Sequence, residues 1–372
     1  MLRAMTTLAA LALALAAHAQ GVTESQILLG QSVALSGPAQ ELGKDMQLGA
    51  SLYFNEVNAH GGVNGRKIVL KTLDDGYEPP RAVENTRKFI GEDRVFALFG
   101  YVGTPTSAAV LPLFTEAKVP YVGAFTGAEL LRNPFNRYIF NVRASYFDET
   151  EAIVQHLTAM SVNRIAVFYQ NDAYGQAGLA GVERALKKRN LEVAAKATVE
   201  RNTVDVAKAV EAMRKADPQA VVMISAYKSC AAFIKEMLKA GSRPTFWNVS
   251  FVGSKALAKE MGTDGRGVQI SQVVPFPWDT SIPVVKEYRA LLDKAKGEPG
   301  FGTLEGYIAA KVMVEGIRRA GKNLTRESFI KAMESLDPYD AGGFKVSYGP
   351  DNHNGSRFVD LTIISRGEKF VR

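Results

Sequence analysis

Cysteine and histidine are scarce in this sequence, and their scarcity excludes several kinds of site. Cys230 is the only cysteine among 372 residues, so no intrachain disulfide can form. It opens a helical pattern with no histidine nearby, which favours a buried structural thiol over a nucleophile, because thiol catalysis needs a base. The 4 histidines lack metal-ligand spacing, so we expect no metal and no other cofactor.

The motifs of phosphate, dinucleotide and acyl-transfer chemistry are also missing. No glycine-rich phosphate or dinucleotide fingerprint follows the first strands, and there is no nucleophile elbow. The paired acids Asp74 and Asp75 lack a partner base and are interpreted as loop contacts. Because no nucleophile, base and orienting group can be assembled, we expect a protein that is not an enzyme.

Long apolar runs are absent apart from one short run near the N-terminus. Arg3 precedes the apolar segment 8–17, and Ala17-His18-Ala19 follows the small-x-small pattern of a cleavage site. The run is too short to cross a bilayer, which needs roughly twenty apolar residues. Residues 1–19 are therefore predicted to be a signal peptide, and Gln20, where a lipoprotein would have cysteine, predicts a free periplasmic protein.

The positive charge of the chain does not indicate nucleic-acid binding. The formal net charge is +7, but lysine and arginine are scattered and mixed with acids, as in the segment 183–189. Solvated helix faces explain this distribution better than a basic stripe. We therefore expect no nucleic-acid partner.

What the chain does contain is a regular alternation of strand and helix patterns. The first series predicts strands at 27–33, 67–73, 95–100 and 119–123, with helices at 42–58, 81–90 and 106–117. The second predicts helices at 148–160, 178–188, 204–216 and 230–239, with strands at 164–169, 192–197, 220–225 and 245–249. After Val268 come helices at 282–295, 304–320 and 326–336 and a hairpin at 357–365 and 369–371. This alternation predicts an α/β fold of two doubly wound lobes with parallel sheets.

Two predicted strand ends in the first series carry hydroxyl groups. Thr104 precedes Pro105 and is predicted to cap a helix, and Thr126 with Glu129 is predicted to form a capping box. The carboxyl ends of parallel strands meet at one edge of a sheet, where helix N-termini favour anions. Tyr174 and Tyr227 follow strand ends of the second series and suit the opposite wall of a small-molecule cleft. Capping alone would also explain both threonines.

Several segments together resemble the periplasmic leucine/isoleucine/valine-binding protein family. The resemblance rests on SGP at 36–38, NAHGGVNG at 58–65, QNDAYGQAG at 170–178 and LEGYIAA at 304–310, together with the Asp74-Asp75 pair and the Thr104 and Thr126 segments. It runs over essentially the whole mature chain. It implies a periplasmic binding protein of type I, the substrate-binding component of an ABC importer, whose two lobes hold a ligand between them.

The resemblance also implies the domain boundaries. Crossings are expected near Arg143, Val273 and Asn352, so that the first lobe comprises 20–142 with 273–352. The second lobe comprises 143–272 with 353–372.

Roles in ligand binding follow from the matched positions. Thr104 matches a hydroxyl that binds the ligand carboxylate, and Ala124 and Thr126 match the backbone and hydroxyl of the second segment. Tyr174 and Tyr227 match cleft tyrosines of the other lobe. Asp148 matches an acid near the hinge.

One position departs from the family pattern. Amino-acid binders place a glutamate against the ligand ammonium where this chain has Ser250. Either Asp148 or Glu305 supplies the missing charge, or the ligand has no amine, an alternative that Lys228 beside Tyr227 favours.

Three functions remain open from the sequence. The chain is an importer's receptor for a branched-chain or other hydrophobic amino acid, a receptor for an amine-free organic acid or small amide, or a soluble sensor of such a ligand. If the chain is an importer's receptor, its partners are the small ligand and the membrane permease subunits. We expect a monomer.

Overall fold

The computed structural model describes residues 21–372, and the predicted signal peptide lies outside them. The first lobe is built on a five-stranded sheet in which every neighbouring pair is parallel. In chain order its strands are β1 (Gln26–Val33), β2 (Lys67–Asp74), β3 (Ala97–Phe99), β4 (Tyr121–Val122) and β5 (Ile139–Phe140), arranged as β2-β1-β3-β4-β5. The helices between them are α1 (Gln40–Ala59), α2 (Pro79–Gly91) and α3 (Thr104–Glu116).

The second lobe repeats this construction. Five parallel strands are ordered β10-β9-β8-β6-β7: β6 (Ile165–Gln170), β7 (Lys196–Val199), β8 (Ala220–Ile224), β9 (Thr245–Asn248) and β10 (Gln269–Gln272). The helices are α4 (Tyr146–Ala159), α5 (Ala173–Lys187), α6 (Ala207–Ala216), α7 (Tyr227–Lys239) and α8 (Ser254–Met261). The sequence patterns predicted four of these strands but not β10.

After β10 the chain returns to the first lobe. It forms α9 (Pro283–Lys294), α10 (Phe301–Ala320), α11 (Arg326–Glu334) and a small antiparallel ribbon of β11 (Tyr339–Asp340) and β12 (Lys345–Val346). Helix α10 packs closely on α1 because glycines stand at both contact points. A Cβ on Gly49 would lie 1.9 Å from the Thr303 carbonyl oxygen, and one on Gly306 would lie 2.4 Å from that of Met46.

The chain ends in the second lobe with the predicted hairpin. Strands β13 (Asp360–Ile364) and β14 (Phe370–Val371) are antiparallel, and β13 pairs antiparallel with β10. The second sheet is therefore mixed at this edge. The chain thus passes three times between the lobes, and two passages lie side by side: the Asn141 N–H donates to the His353 carbonyl at 2.9 Å, and the Gly355 N–H to the Asn141 carbonyl at 2.8 Å.

The structure corrects both predicted helix caps. Helix α3 is capped by Gly103, whose φ of 104° suits only glycine, and Thr104 is the first helical residue. The capping box of Thr126 with Glu129 is wrong, because only a short 3₁₀ turn begins at Glu129, after Ala128. The Thr126 hydroxyl instead accepts the Ala128 N–H at 3.3 Å.

Smaller differences concern element boundaries. Helix α6 begins at Ala207, three residues later than predicted, and β7 lies at Lys196–Val199 rather than at 192–197. The buried structural thiol is confirmed, since Cys230 is fully buried and burial raises the pKa of its thiol. No helix in the described part of the chain is long and apolar enough to cross a membrane.

The contact between α1 and α10 yields a stability prediction. Gly306→Ala forces a methyl group against the backbone of α1, and we expect it to lower the free energy of unfolding by roughly 1 to 3 kcal/mol. Gly91→Ala is the matched control, because a Cβ there meets nothing within 4 Å. Urea unfolding of both variants checks this, and equal stabilities would contradict the tight contact.

Candidate functional site

Three buried hydroxyl groups meet at the carboxyl edge of the first sheet. The Thr104 and Thr126 hydroxyl oxygens lie 2.6 Å apart, and the Thr126 hydroxyl donates to the Tyr146 phenol oxygen at 3.2 Å. Burial raises the pKa of Tyr146 to about 12, so its phenol keeps its proton at neutral pH. The N-terminus of α3 begins at the same point. Hydroxyl donors beside a helix N-terminus form a suitable site for an anion such as a carboxylate.

Aromatic rings from both lobes surround this cluster. Phe251, in a 3₁₀ turn after β9, packs against Tyr77 and Phe125 of the first lobe with ring centroids 5.8 and 5.5 Å apart. It also packs against Tyr174 of the second lobe at 4.6 Å, and Tyr174 lies 5.4 Å from Tyr146. The Tyr174 hydroxyl is buried and has no hydrogen-bond partner in the described chain. These rings form an apolar wall with one unsatisfied polar group.

A buried arginine connects the two lobes next to the aromatic wall. Arg143, which is 1% exposed, donates from Nη2 to Glu149 Oε1 at 3.1 Å and to the Ser250 hydroxyl. Its Nη1 lies 3.4 Å from Glu305 Oε1 on α10. The guanidinium carbon is 5.1 Å from the centroid of the Phe125 ring. Arg143 therefore holds residues of both lobes around one cation.

The charges of this cluster do not cancel when both acids are ionised. Burial lowers the pKa of Arg143, but the charges of Glu305 and Glu149 outweigh it and raise that pKa, so the guanidinium stays charged. Burial raises the pKa of Glu305 to about 7, against the opposing effect of Arg143. Within ion-pair distance one arginine faces two carboxylates, which leaves negative charge on the side of Glu305, and the charge of Arg132 offsets this only from farther away.

Sequence reasoning missed Arg143 and Glu149 as parts of this site. Glu149 is fully buried, accepts the Ser250 N–H at 2.7 Å and accepts the Ser271 hydroxyl at 2.6 Å. No local pattern identifies it, because two of its three partners, Ser250 and Ser271, come from distant parts of the chain. Ser250 lies beside Arg143, and both its N–H and its hydroxyl bond to Glu149.

Asp148 has other partners. It forms a capping box with Ser145 at the start of α4, and its Oδ1 lies 3.1 Å from Nη2 of Arg357, whose side chain is 85% exposed. The Ser-x-x-Asp spacing at 145–148 is a sequence signal for this capping role. Burial opposes ionisation of Asp148, but hydrogen bonds from Ser145 and Arg357 outweigh it and lower its pKa. These contacts do not support a role in binding a ligand ammonium.

Tyr227, which is buried, and Lys228 begin α7 and face α1 of the first lobe. Both line a cavity of about 610 Å³ that also includes Glu41 and Asp45 of α1. Lys228 forms no hydrogen bond or ion pair with the Arg143 cluster in the described chain. Ala124 is buried beside Thr126, and its carbonyl accepts the Thr126 N–H at 2.9 Å.

Comparison with known proteins agrees with this two-lobed architecture. The family model for periplasmic binding proteins matches residues 26–368. The chain belongs to this family. Its members are ligand-binding proteins, not enzymes.

Individual relatives cover nearly the whole chain of this periplasmic binding protein. The Leu/Ile/Val-binding protein homolog 7 of Brucella abortus (strain 2308) is 27% identical over 363 residues, which cover 91% of this chain and 88% of the relative. A possible leucine/isoleucine/valine-binding protein from Rhodopirellula baltica has a crystal structure with a TM-score of 0.89 and 34% identity, covering 94% of this chain and 97% of that one. A substrate-binding periplasmic protein from Ralstonia solanacearum has a TM-score of 0.88 and 32% identity, covering 93% and 99%.

The raised pKa of Glu305 predicts a pH-dependent stability. The pKa of Glu305 is about 7 in the folded protein, against an ordinary value of 4.5. Between pH 4.5 and about pH 7, the folded protein therefore keeps a proton on Glu305 that the unfolded chain has lost. Stability from Glu305 is therefore full below pH 4.5 and is lost as pH rises to 7, by about 3 kcal/mol. Urea unfolding should show that the free energy of unfolding falls less between pH 5 and pH 8 for Glu305→Gln than for the native protein.

An exposed acid provides the control for this measurement. Glu192 forms no ion pair with any described residue, so Glu192→Gln should retain the native pH dependence. If Glu305→Gln and Glu192→Gln follow the same pH profile, the charge at Glu305 does not titrate as inferred.

Proposed function

We propose that this protein is the periplasmic substrate-binding component of an ABC importer and delivers a small ligand to membrane permease subunits. The observation that supports this proposal is the buried polar cluster of both lobes, with hydroxyls at Thr104 and Thr126 and charges at Arg143 and Glu305. Such a cluster between two hinged lobes suits capture by domain closure. The moving units are residues 20–142 with 273–352 and residues 143–272 with 353–372. We expect the protein to act as a monomer.

The charge distribution favours an amino acid with an apolar side chain. The ligand carboxylate would accept hydrogen bonds from Thr104, Thr126 and Tyr146, while its ammonium would lie on the side of Glu305, where negative charge is in excess. Glu305 would thereby supply the negative charge that is missing at the Ser250 position. The rings of Phe251 and Tyr174 suit a branched-chain or other hydrophobic side chain. The relatives named for leucine, isoleucine and valine point in the same direction.

One observation supports a second candidate. The Nε and Nη1 atoms of Arg143 are buried and have no hydrogen-bond partner in the described chain. An organic acid without an amine would satisfy these donors with its carboxylate, and Glu305 would then take up a proton. Lys228 does not add to this support, because it forms no hydrogen bond or ion pair with the Arg143 cluster in the described chain.

The first binding prediction concerns the threonine hydroxyls. Thr104→Val and Thr126→Val each remove a donor from the carboxylate site and should weaken binding of leucine by roughly 1 to 3 kcal/mol, as measured by calorimetry. Thr86→Val is the matched control, because its buried hydroxyl contacts Ala82 and Tyr101, outside the site. Unchanged affinity in both site variants would place the carboxylate elsewhere.

The second binding prediction separates the two ligand classes. Native protein should bind leucine more tightly than its deaminated keto acid, and leucine affinity should fall as pH drops below 7, because Glu305 then takes up a proton. Glu305→Gln should remove this pH dependence and cost about 2 to 5 kcal/mol of leucine affinity. A tenfold preference for the keto acid would instead establish the amine-free candidate.

A further inference from the structure

A polar contact joins the two lobes at the rim of the cleft. Arg201, in the loop after β7, donates from Nη2 to Glu78 Oε2 at 2.9 Å, and Asn202 donates from Nδ2 to Glu78 Oε1 at 2.7 Å. The Asn202 amide also lies 3.2 Å from the Gly76 carbonyl oxygen. Glu78 belongs to the first lobe, whereas Arg201 and Asn202 belong to the second. We call these three residues the rim clasp.

The first-lobe side of the rim clasp is held in place by its own loop. Asp74 accepts the N–H groups of Leu35 at 2.8 Å and Gly76 at 2.9 Å, and Asp75 accepts the Tyr77 N–H at 2.8 Å. These contacts lie within the first lobe and fix the turn that precedes Glu78. The backbone that leads into Glu78 is therefore fixed within the first lobe.

The second-lobe side is fixed in the same way and leads directly to the ligand site. Arg201 donates from Nη1 to Asp172 Oδ2 at 3.1 Å, and Asp172 Oδ1 accepts the Tyr174 N–H at 2.9 Å at the start of α5. Gln170 donates to Asp172 at 2.6 Å and to the Tyr77 hydroxyl at 3.2 Å, across the cleft. Asp172 thus connects the rim clasp to the helix that carries the cleft residue Tyr174.

From this geometry we propose that Glu78, Arg201 and Asn202 are positioning residues that hold the closed lobes together and thereby retain the ligand. The proposal rests on the function given above, because retention matters only for a protein that closes on a ligand. The backbone before Glu78 and the side chain of Arg201 are each held within their own lobe, so closure orders chiefly the side chains of Glu78 and Asn202. The rim clasp itself contacts no part of the hydroxyl cluster, and its effect on the ligand is transmitted through closure and through Asp172.

The rim clasp is partly exposed to solvent, and it forms only after the ligand has entered. The side chains of Arg201 and Glu78 are 23% and 40% exposed, so salt screens their attraction in part. Ligand enters before the rim clasp forms and leaves after it breaks. The clasp therefore acts on the dissociation rate and leaves the association rate nearly unchanged.

Lobe closure can be measured without any ligand. Spin labels on the double variant Arg87→Cys, Lys208→Cys report the distance between exposed positions of α2 and α6. The native Cys230 does not compete for labelling, because it is buried. Glu78→Gln should shift the distance distribution towards longer, open distances. Glu84→Gln is the matched control, because this exposed acid on α2 forms no ion pair with any described residue. Identical distributions for Glu78→Gln and the labelled parent would overturn the proposal.

Stopped-flow dissociation with leucine as the probe provides the second readout. Glu78→Gln should release leucine about tenfold faster than the native protein, with an unchanged association rate and an unchanged unfolding midpoint. Added salt should accelerate release from the native protein and from Glu84→Gln but not from Glu78→Gln. If leucine does not bind while the label distances still respond to Glu78→Gln, the ligand assignment fails and the rim clasp stands. If leucine binds and Glu78→Gln releases it at the native rate, the rim clasp is refuted.

Discussion

The ligand site depends on one buried cation. Arg143 lies in the first passage between the lobes, and removing its guanidinium from water is unfavourable unless carboxylates compensate it. Glu149 from α4 and Glu305 from α10 supply that compensation, and Ser250 adds a hydrogen-bond acceptor from the loop after β9. Because these groups come from both lobes, the ion pairs that keep Arg143 buried also fix the relative position of the cleft walls.

The topology explains why these groups can meet. In each lobe the parallel strands point their carboxyl ends towards the other lobe, so the loops after β4 and β9 place Thr126 and Ser250 on facing walls. The returning helix α10 is held against α1 by close backbone contacts at Gly49 and Gly306. This packing brings Glu305 next to Arg143. A small helix contact thereby sets the position of a charge in the cleft.

The sequence predicts the fold better than it predicts the charges of the site. Strand and helix alternation is a local property, and it predicted the two lobes and the region of Thr104 and Thr126. Strand β10, with the sequence QISQ, was missed because its buried polar residues do not resemble a core strand. Glu149 was missed because it is buried by contacts with Ser250 and Ser271, more than 100 residues away. Partners at such separations leave no spacing pattern in a single sequence.

Selectivity and retention are separated in this architecture. The inner cluster around Arg143 is buried and holds two carboxylates against its one guanidinium, so in the proposed function it would discriminate ligands by their charge. The rim contacts of Glu78 are partly exposed and involve no group of the inner cluster, so in this proposal they would contribute to closure whichever ligand is bound. Changes at Ser250 or Glu305 would therefore alter the inner cluster while the rim contacts of Glu78 are retained. This separation gives a physical reason why one two-lobed fold can serve ligands of different charge.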